Sequence, residues 1–380
     1  MTLMMCWLIG EYAMCSSSVM TVTFEEGSHL LASDAAVIPA APEPMTMTFF
    51  DMPLPIPRLL IYLIDADASG RSKVKYARTI EDSMAQMREK RSPDELETLW
   101  KESDMSGGRK VAAMVAIMRT NGCVWAKTGG CTMCGYKTAS LTGVTVDNLM
   151  SQVDRMVSKY SGEPFVKIYT SGSFLDENEV PVPVRERIFR EFAGCERLLF
   201  ESRPEFITEE VLSTLPKNVT VALGMETSDP EVMEISIRKG FTPEDSRRVG
   251  NMIKAAGLKV RTYLLLKPPF LQEGRAIESA VESVRFAAPF SDEISINPVN
   301  VQKATYVERL WKRGEYRSPW IWSLIEVFRR CAGTVDCRLM SSPSGGGSQR
   351  GVHNCGQCDR RALDAVEAFS YSQDLMDLDV

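Results

Sequence analysis

From residue 111 onward the chain repeats one pattern: a short apolar run, a polar loop, then a stretch with helix signals. The runs are Val111 to Met118, Phe165 to Tyr169, Arg197 to Glu201, Val219 to Glu226, Lys259 to Leu266 and Glu293 to Asn297. Between them, Leu149, Val153, Met156 and Val157 recur at helical spacing over 146–160, with Asp147 at the end where a helix favours negative charge. Thr208, Asp229 before Pro230 and Thr242 before Pro243 are helix starts, and Gly257 is a stop. A further helix is expected over 276–288. Strands that alternate with helices must be joined by crossovers, so the sheet is parallel and covered by helices. Six repeats fit an α/β fold of the partial (β/α)6 barrel type better than a closed eight-fold barrel. In such barrels functional groups lie at the carboxyl ends of the strands.

The flanks read differently. Residues 1–57 are rich in Met, Ala, Pro and Thr without periodicity and are expected to be a weakly ordered extension. An over-extended start, with initiation at Met45, Met47 or Met52, fits the same composition. Residues 58–109 are expected to form a helical flank, with a polar helix over 78–105 broken at Pro93. The barrel is expected over 110–310, followed by an aromatic helix near Ser318-Pro319 and a small Cys/His-rich module within 311–380. With 44 basic against 50 acidic residues, the net charge of -6 argues against nucleic-acid binding by bulk attraction. Ten cysteines without a secretory signal point to a reducing compartment, and a cytoplasmic protein with no membrane span is expected.

The loop after the first barrel strand carries Cys123, Cys131 and Cys134 within Cys-Val-Trp-Ala-Lys-Thr-Gly-Gly-Cys-Thr-Met-Cys-Gly-Tyr136. Three thiolates on one glycine-rich loop suit three irons of a [4Fe–4S] cluster, with the fourth iron left for a substrate or cofactor. The bland alternatives are half a zinc site or buried thiols. The tail offers a second set. Cys337, His353, Cys355 and Cys358 form a Cys3His combination of the kind zinc prefers in closed sites. Cys331 can replace one ligand, and an all-cysteine set would allow an auxiliary iron–sulfur cluster.

Cys-x7-Cys-x2-Cys-x-Tyr resembles the cluster loop of the radical S-adenosylmethionine (SAM) superfamily, whose core fold is a partial (β/α)6 barrel, although the first gap is longer than the usual three residues. The resemblance implies a [4Fe–4S] cluster on Cys123, Cys131 and Cys134, with S-adenosyl-L-methionine chelated by the open iron and Tyr136 packed on its adenine. It places Ser171, Gly172 and Ser173 at the cofactor's amino group. Glu201-Ser-Arg203-Pro-Glu205 is similar to a stretch shared by the Elongator catalytic subunit and methylthiotransferases, which makes Glu201 and Arg203 candidates for polar contacts. On the same grounds Glu226 is expected at the ribose and Arg238 at the methionine carboxylate.

Adding Arg119 to Trp125, Pro343-Ser-Gly-Gly-Gly347 and the His353/Cys355/Cys358 tail narrows the resemblance to the archaeosine-synthesis radical SAM family, RaSEA, over about residues 110–360. That family implies an archaeal tRNA-modifying lyase working with the lysine transferase ArcS and an external electron donor. The partner attaches lysine to a 7-cyano-7-deazaguanine base in tRNA. The radical enzyme then cleaves a C–N bond of that adduct, leaving the formamidine of archaeosine. Two other readings are another radical SAM RNA-modifying enzyme, Elongator-like or methylthiotransferase-like, and a non-catalytic zinc-ribbon RNA-binding protein.

Overall fold

The computed structural model describes residues 2–4, 60–66, 72–79 and 92–380. The chain divides into two compact units, 1–90 and 91–380. In the first, Thr2–Met4, Leu60–Ala66 and Ser72–Thr79 form an antiparallel three-stranded sheet. Apart from Thr2–Met4, the expected weakly ordered extension over 1–57 lies outside the described residues.

The second unit is built on an eight-stranded sheet in sequence order: β1 Thr98–Ser106, β2 Arg109–Ile117, β3 Phe165–Tyr169, β4 Arg197–Glu201, β5 Val219–Glu226, β6 Lys259–Leu266, β7 Glu293–Pro298 and β8 Arg338–Met340. β2 to β8 are parallel, and β1 pairs antiparallel with β2. β2 to β7 are the six strands expected from the apolar runs, joined by the helices of a half-barrel.

The α-helices longer than one turn are α1 Val146–Lys159, α2 Val182–Glu191, α3 Glu209–Ser213, α4 Pro243–Ala255, α5 Glu273–Ala287, α6 Tyr306–Lys312, α7 Ile321–Cys331 and α8 Asp359–Ser372. Thr208 and Thr242 cap α3 and α4 with their side chains, and Gly257 follows α4 at φ 74°. After β5 the expected helix is instead a π-helical turn, Val232–Ile237, which begins beyond Asp229 and ends at Arg238 in a left-handed conformation.

The helical-flank expectation is corrected wherever it falls on described secondary structure. Residues 60–66, 72–79 and 98–106 are strands, while 58–59, 67–71 and 80–91 lie outside the described residues. Gly107 and Gly108, at φ 55° and 74°, make a two-residue hairpin turn of the primed type that sends the chain back as β2. β1 escaped detection because its inner face carries Glu102 and Asp104 where an ordinary strand would alternate apolar residues.

The outer faces of β2 to β5 pack on α1, α2 and α4 in one apolar cluster. A second cluster joins β6 and β7 to α5, α7 and α8 and takes in Leu339, Val352 and Phe369. Residues 311–380 therefore belong to the same compact unit as the barrel, adding its last strand and last helix, and are not a separate body. Among the described residues no helix is long and apolar enough to cross a membrane.

Candidate active site

Inward-facing residues recur every second position along each strand, so the half-barrel interior is layered. At the amino-terminal end, Arg197 makes a bidentate contact with Glu293 at 2.8 and 2.7 Å. Arg261 bridges Glu293 at 2.8 Å and Asp104 at 3.0 Å. Lys167 pairs with Asp104 and with Glu102 at 2.6 Å. Burial alone would raise these acids. The facing cations outweigh it, leaving Glu293 at about 2 and Asp104 well below the usual carboxylate range. Above this plug, the Tyr169 and Tyr263 hydroxyls meet at 2.8 Å.

The next layer reaches the strand ends. Glu201 ends β4, and Glu226 ends β5 beyond a bulge that holds it at φ 70°. Lys239 Nζ donates to Glu226 at 2.6 Å, and both side chains are about one-tenth exposed. A Cβ on Gly224 would stand 2.8 Å from Glu226 Oε1 and from Lys239 Nζ and 3.0 Å from Glu201 Oε1, so glycine opens this polar pocket. Burial pushes Glu201 up to about 7, with Glu226 and Glu179 adding to the shift and Lys239 and Arg203 opposing it. Lys239 is held charged: burial would lower it, but Glu226, Cys131 and Glu201 raise it.

The loop bearing the three cysteines roofs this pocket. Trp125 Nε1 donates to Arg238 O at 2.7 Å. Thr132 donates through its N–H to Ile237 O at 3.0 Å and through its hydroxyl to Ser236 O at 2.6 Å. Thr132 O accepts from Tyr306 N at 2.9 Å, and Gly135 N donates to Gln302 Oε1 at 2.6 Å. The loop is thus fastened to the segments after β5 and β7. Across from it, Gly172 packs so closely that a Cβ would lie 2.6 Å from Cys123 Cβ and 2.7 Å from Cys123 Cα. Glu179, buried, receives Thr120 Oγ1 at 2.6 Å and Ser173 N at 2.7 Å, tying the start of the cysteine loop to the β3 loop.

All three cysteines are free and partly buried. Burial pushes Cys131 up to about 12 and raises Cys134. The Cys131 and Cys134 thiols therefore stay protonated until a metal charge deprotonates them. Among the described residues, no three His, Cys, Asp or Glu side chains gather into a group able to hold a metal ion. A cuboidal cluster takes its thiolates at separate irons, so three cysteines on one loop are a donor set of the right chemistry for it. Tyr136 is half exposed, while its phenol is pushed up to about 12, first by burial and then by Glu201 and Cys134. An aromatic ring beside the Glu201/Glu226/Lys239 group offers the chemistry of stacking, hydroxyl and carboxylate recognition.

Cys123, Cys131, Cys134, Tyr136, Gly172, Glu201 and Glu226 therefore meet at the carboxyl ends of the strands. Ser171 Oγ donates to Tyr136 O at 3.4 Å, and Ser173 Oγ accepts from Arg203 N at 3.1 Å, so both hydroxyls brace the pocket wall. Arg203 is engaged with Glu205 at 2.5 Å and Lys239 O at 3.0 Å and sits over Phe241. Arg238 is displaced from its expected place: its side chain is exposed on an outer groove, and Lys239 is the cation inside. The left-handed turn at Arg238 exchanges the two, and nothing in an Arg-Lys pair announces that. Glu179, Tyr169 and Tyr263 were also missed, though each sits at an inward position of a strand or loop.

The expected Cys3His set is not assembled. Cys337 is partly buried beside Val335 and Leu339, His353 Nδ1 lies 2.8 Å from Gly351 O, Cys355 is exposed, and Cys358 Sγ accepts from Asn354.

No family model matches the chain. It is 41% identical over 291 residues to archaeosine synthase subunit beta of Methanosarcina acetivorans, across 73% of this chain and 84% of that protein. To archaeosine synthase subunit beta of Thermococcus kodakarensis it is 39% identical over 293 residues, 73% of this chain and 90% of that one. Elongator complex protein 3 of Mus musculus is 26% identical over 38% of this chain and 27% of its own length. Among solved structures, Elp3 of Methanocaldococcus infernus matches at TM-score 0.43 and 18% identity over 58% of each chain.

Proposed function

The chain belongs to the archaeosine synthase subunit beta family, and from that premise we propose that it is a cytoplasmic radical SAM enzyme that modifies tRNA. The observation that carries the reading is the cysteine loop fastened across a buried carboxylate–lysine pocket at the strand ends. Cys123, Cys131 and Cys134 would hold a [4Fe–4S] cluster. When bound, that cluster and S-adenosyl-L-methionine supply one-electron cleavage of a sulfonium and a strong hydrogen-atom acceptor.

The chain's own residues do the positioning. Tyr136 offers a ring face, Glu226 an acceptor for hydroxyls, and Lys239 a cation for a carboxylate. The Tyr169–Tyr263 pair and the ion plug beneath close the lower end of the half-barrel, so the reacting carbon is held away from water coming from that side. Glu201, with a carboxyl titrating at about 7, can hold or release a proton near neutral pH beside that pocket.

The specific reaction in this proposal is C–N bond cleavage in the lysine adduct of a 7-deazaguanine base, after the lysine transferase ArcS has built that adduct. An external donor supplies the electron. The test is anaerobic purification followed by iron and sulfide analysis, then an assay with reductant on lysine-charged deazaguanine tRNA, with and without the transferase. Iron and sulfide with 5′-deoxyadenosine and an archaeosine product are expected. A colourless protein carrying only zinc would end the reading.

A further inference from the structure

On the outer side of the cysteine loop lies a groove of about 260 Å³ lined by Gly130, Arg238, Phe270, Tyr306 and Arg309 among others. No lining residue is acidic, and three are cationic, in a chain whose net charge is -6. Phe270 is 60% exposed and Tyr306 40%, with ring centroids 6.1 Å apart. The Arg309 guanidinium rests 5.3 Å from the centre of the Tyr306 ring.

Phe270 is not left in water by default. It stands at φ 71°, a left-handed conformation costly for a bulky side chain, directly after Pro268 and Pro269. The backbone leading into it is pinned twice: Ser236 Oγ donates to Pro269 O at 2.5 Å, and Tyr316 OH donates to Lys267 O at 2.7 Å. A strained, fastened loop that presents an aromatic ring to solvent beside cations has the makings of a base-stacking platform along a phosphate track.

We propose that this groove binds single-stranded RNA next to the modified nucleotide, with a base stacked on Phe270 and Tyr306 and backbone phosphate on Arg309. The inference rests on RNA being the substrate and assigns a face outside the cofactor pocket. Once the target nucleotide enters the mouth of the half-barrel, its unstacked neighbours need a surface, and Cys131 and Thr132 are shared between the roof of the pocket and this groove.

The test is fluorescence anisotropy with a labelled single-stranded RNA oligonucleotide on the full, cluster-loaded chain over a salt series. Arg309→Glu is expected to weaken binding several-fold or more and to lower the magnitude of the slope of log K against log salt by about 0.7, the loss of one phosphate contact. Phe270→Leu is expected to weaken binding by roughly fivefold to a hundredfold, the range for one lost stack, and Phe270→Trp to restore it. Unchanged affinity and slope in variants of wild-type iron content and melting temperature overturn the proposal. So does a loss confined to an acidic electron-carrier protein, which would make the groove a protein dock. Iron and 5′-deoxyadenosine measured on the same preparations keep the two readings apart. An iron-free chain that binds RNA through these residues sinks the radical chemistry alone, and a competent cluster without groove-dependent RNA binding sinks the groove alone.

Discussion

Replacing Gly172 by alanine should strip the chain of iron while leaving most of its stability. An added Cβ would lie 2.6 Å from Cys123 Cβ, 2.7 Å from Cys123 Cα and 2.7 Å from Glu179 Oε2. Carbon atoms sit comfortably at about 3.5 to 4 Å. The first of those contacts therefore falls short by about 1 Å. Because Cα is backbone, no rotamer change relieves the clash, and the cysteine loop must back away. Overpacking of this kind costs about 1 to 3 kcal/mol. At about 2 to 4 °C per kcal/mol for a unit of this size, the melting temperature should fall by roughly 2 to 12 °C. The effect on the metal is larger, because ligands must be held to about 0.5 Å and Cys123 would shift relative to Cys131 and Cys134 by about twice that. Iron and sulfide per chain after anaerobic reconstitution, with melting measured alongside, provide the assay. Gly194→Ala is the matched control, since nothing lies within 4 Å of a Cβ there. Full iron content and wild-type SAM cleavage in Gly172→Ala would refute the claim that this glycine sets the position of Cys123.

Cys131→Ala should abolish both the cluster's visible absorbance and 5′-deoxyadenosine formation, and retained turnover would remove its assigned role. Glu293→Gln leaves Arg197 and Arg261 facing a neutral amide, so it should cost about 3 to 5 kcal/mol in urea unfolding; a loss under about 1 kcal/mol would show that the plug carries little of the stability. Glu201 titrates at about 7 when folded against an ordinary 4.5, so the native state binds the extra proton: its contribution is fully present below pH 4.5 and is lost as pH rises through 7. Glu201→Gln should therefore flatten the decline of stability between about pH 4.5 and 7, and an unchanged pH profile would contradict that placement of the carboxyl.

The parallel strands were legible because each is buried on both faces and bounded by punctuation. Phe165 to Tyr169 and Val219 to Glu226 appeared as short apolar runs, and Thr208, Thr242 and Gly257 marked helix ends by local hydrogen-bond chemistry that needs no tertiary context. The cysteine loop was legible for a similar reason, since Cys123, Cys131 and Cys134 are close in sequence. β1 was not legible. Its inner face answers to Arg261 and Lys167, residues 157 and 63 positions away in the chain, so Glu102 and Asp104 look like solvent-facing charges until the barrel closes on them. The tail is a different case: His353, Cys355 and Cys358 share a metal-site spacing, while the chain folds Val352 into the second core cluster and sets Cys337 just before β8.

The exchange of Arg238 for Lys239 shows where local reading fails at the pocket itself. In a regular helix, neighbours one residue apart point about 100° from each other, so either cation could face the pocket. The π-helical turn before them and the left-handed Arg238 settle the choice, turning Lys239 inward to Glu226. Glu226 is itself at positive φ behind the Gly224 bulge, so both partners of this ion pair are positioned by irregular backbone. Irregularities of this kind cost about 1 to 3 kcal/mol each and persist only where surrounding contacts impose them. Here those contacts are the bonds from Thr132 to Ser236 and Ile237 and from Trp125 to Arg238. The cysteine loop therefore does more than carry ligands: by clamping the turn that follows β5, it sets which cation faces the pocket. Thr132→Ala should test this, because freeing the turn ought to weaken SAM binding in the cluster-loaded protein without changing iron content.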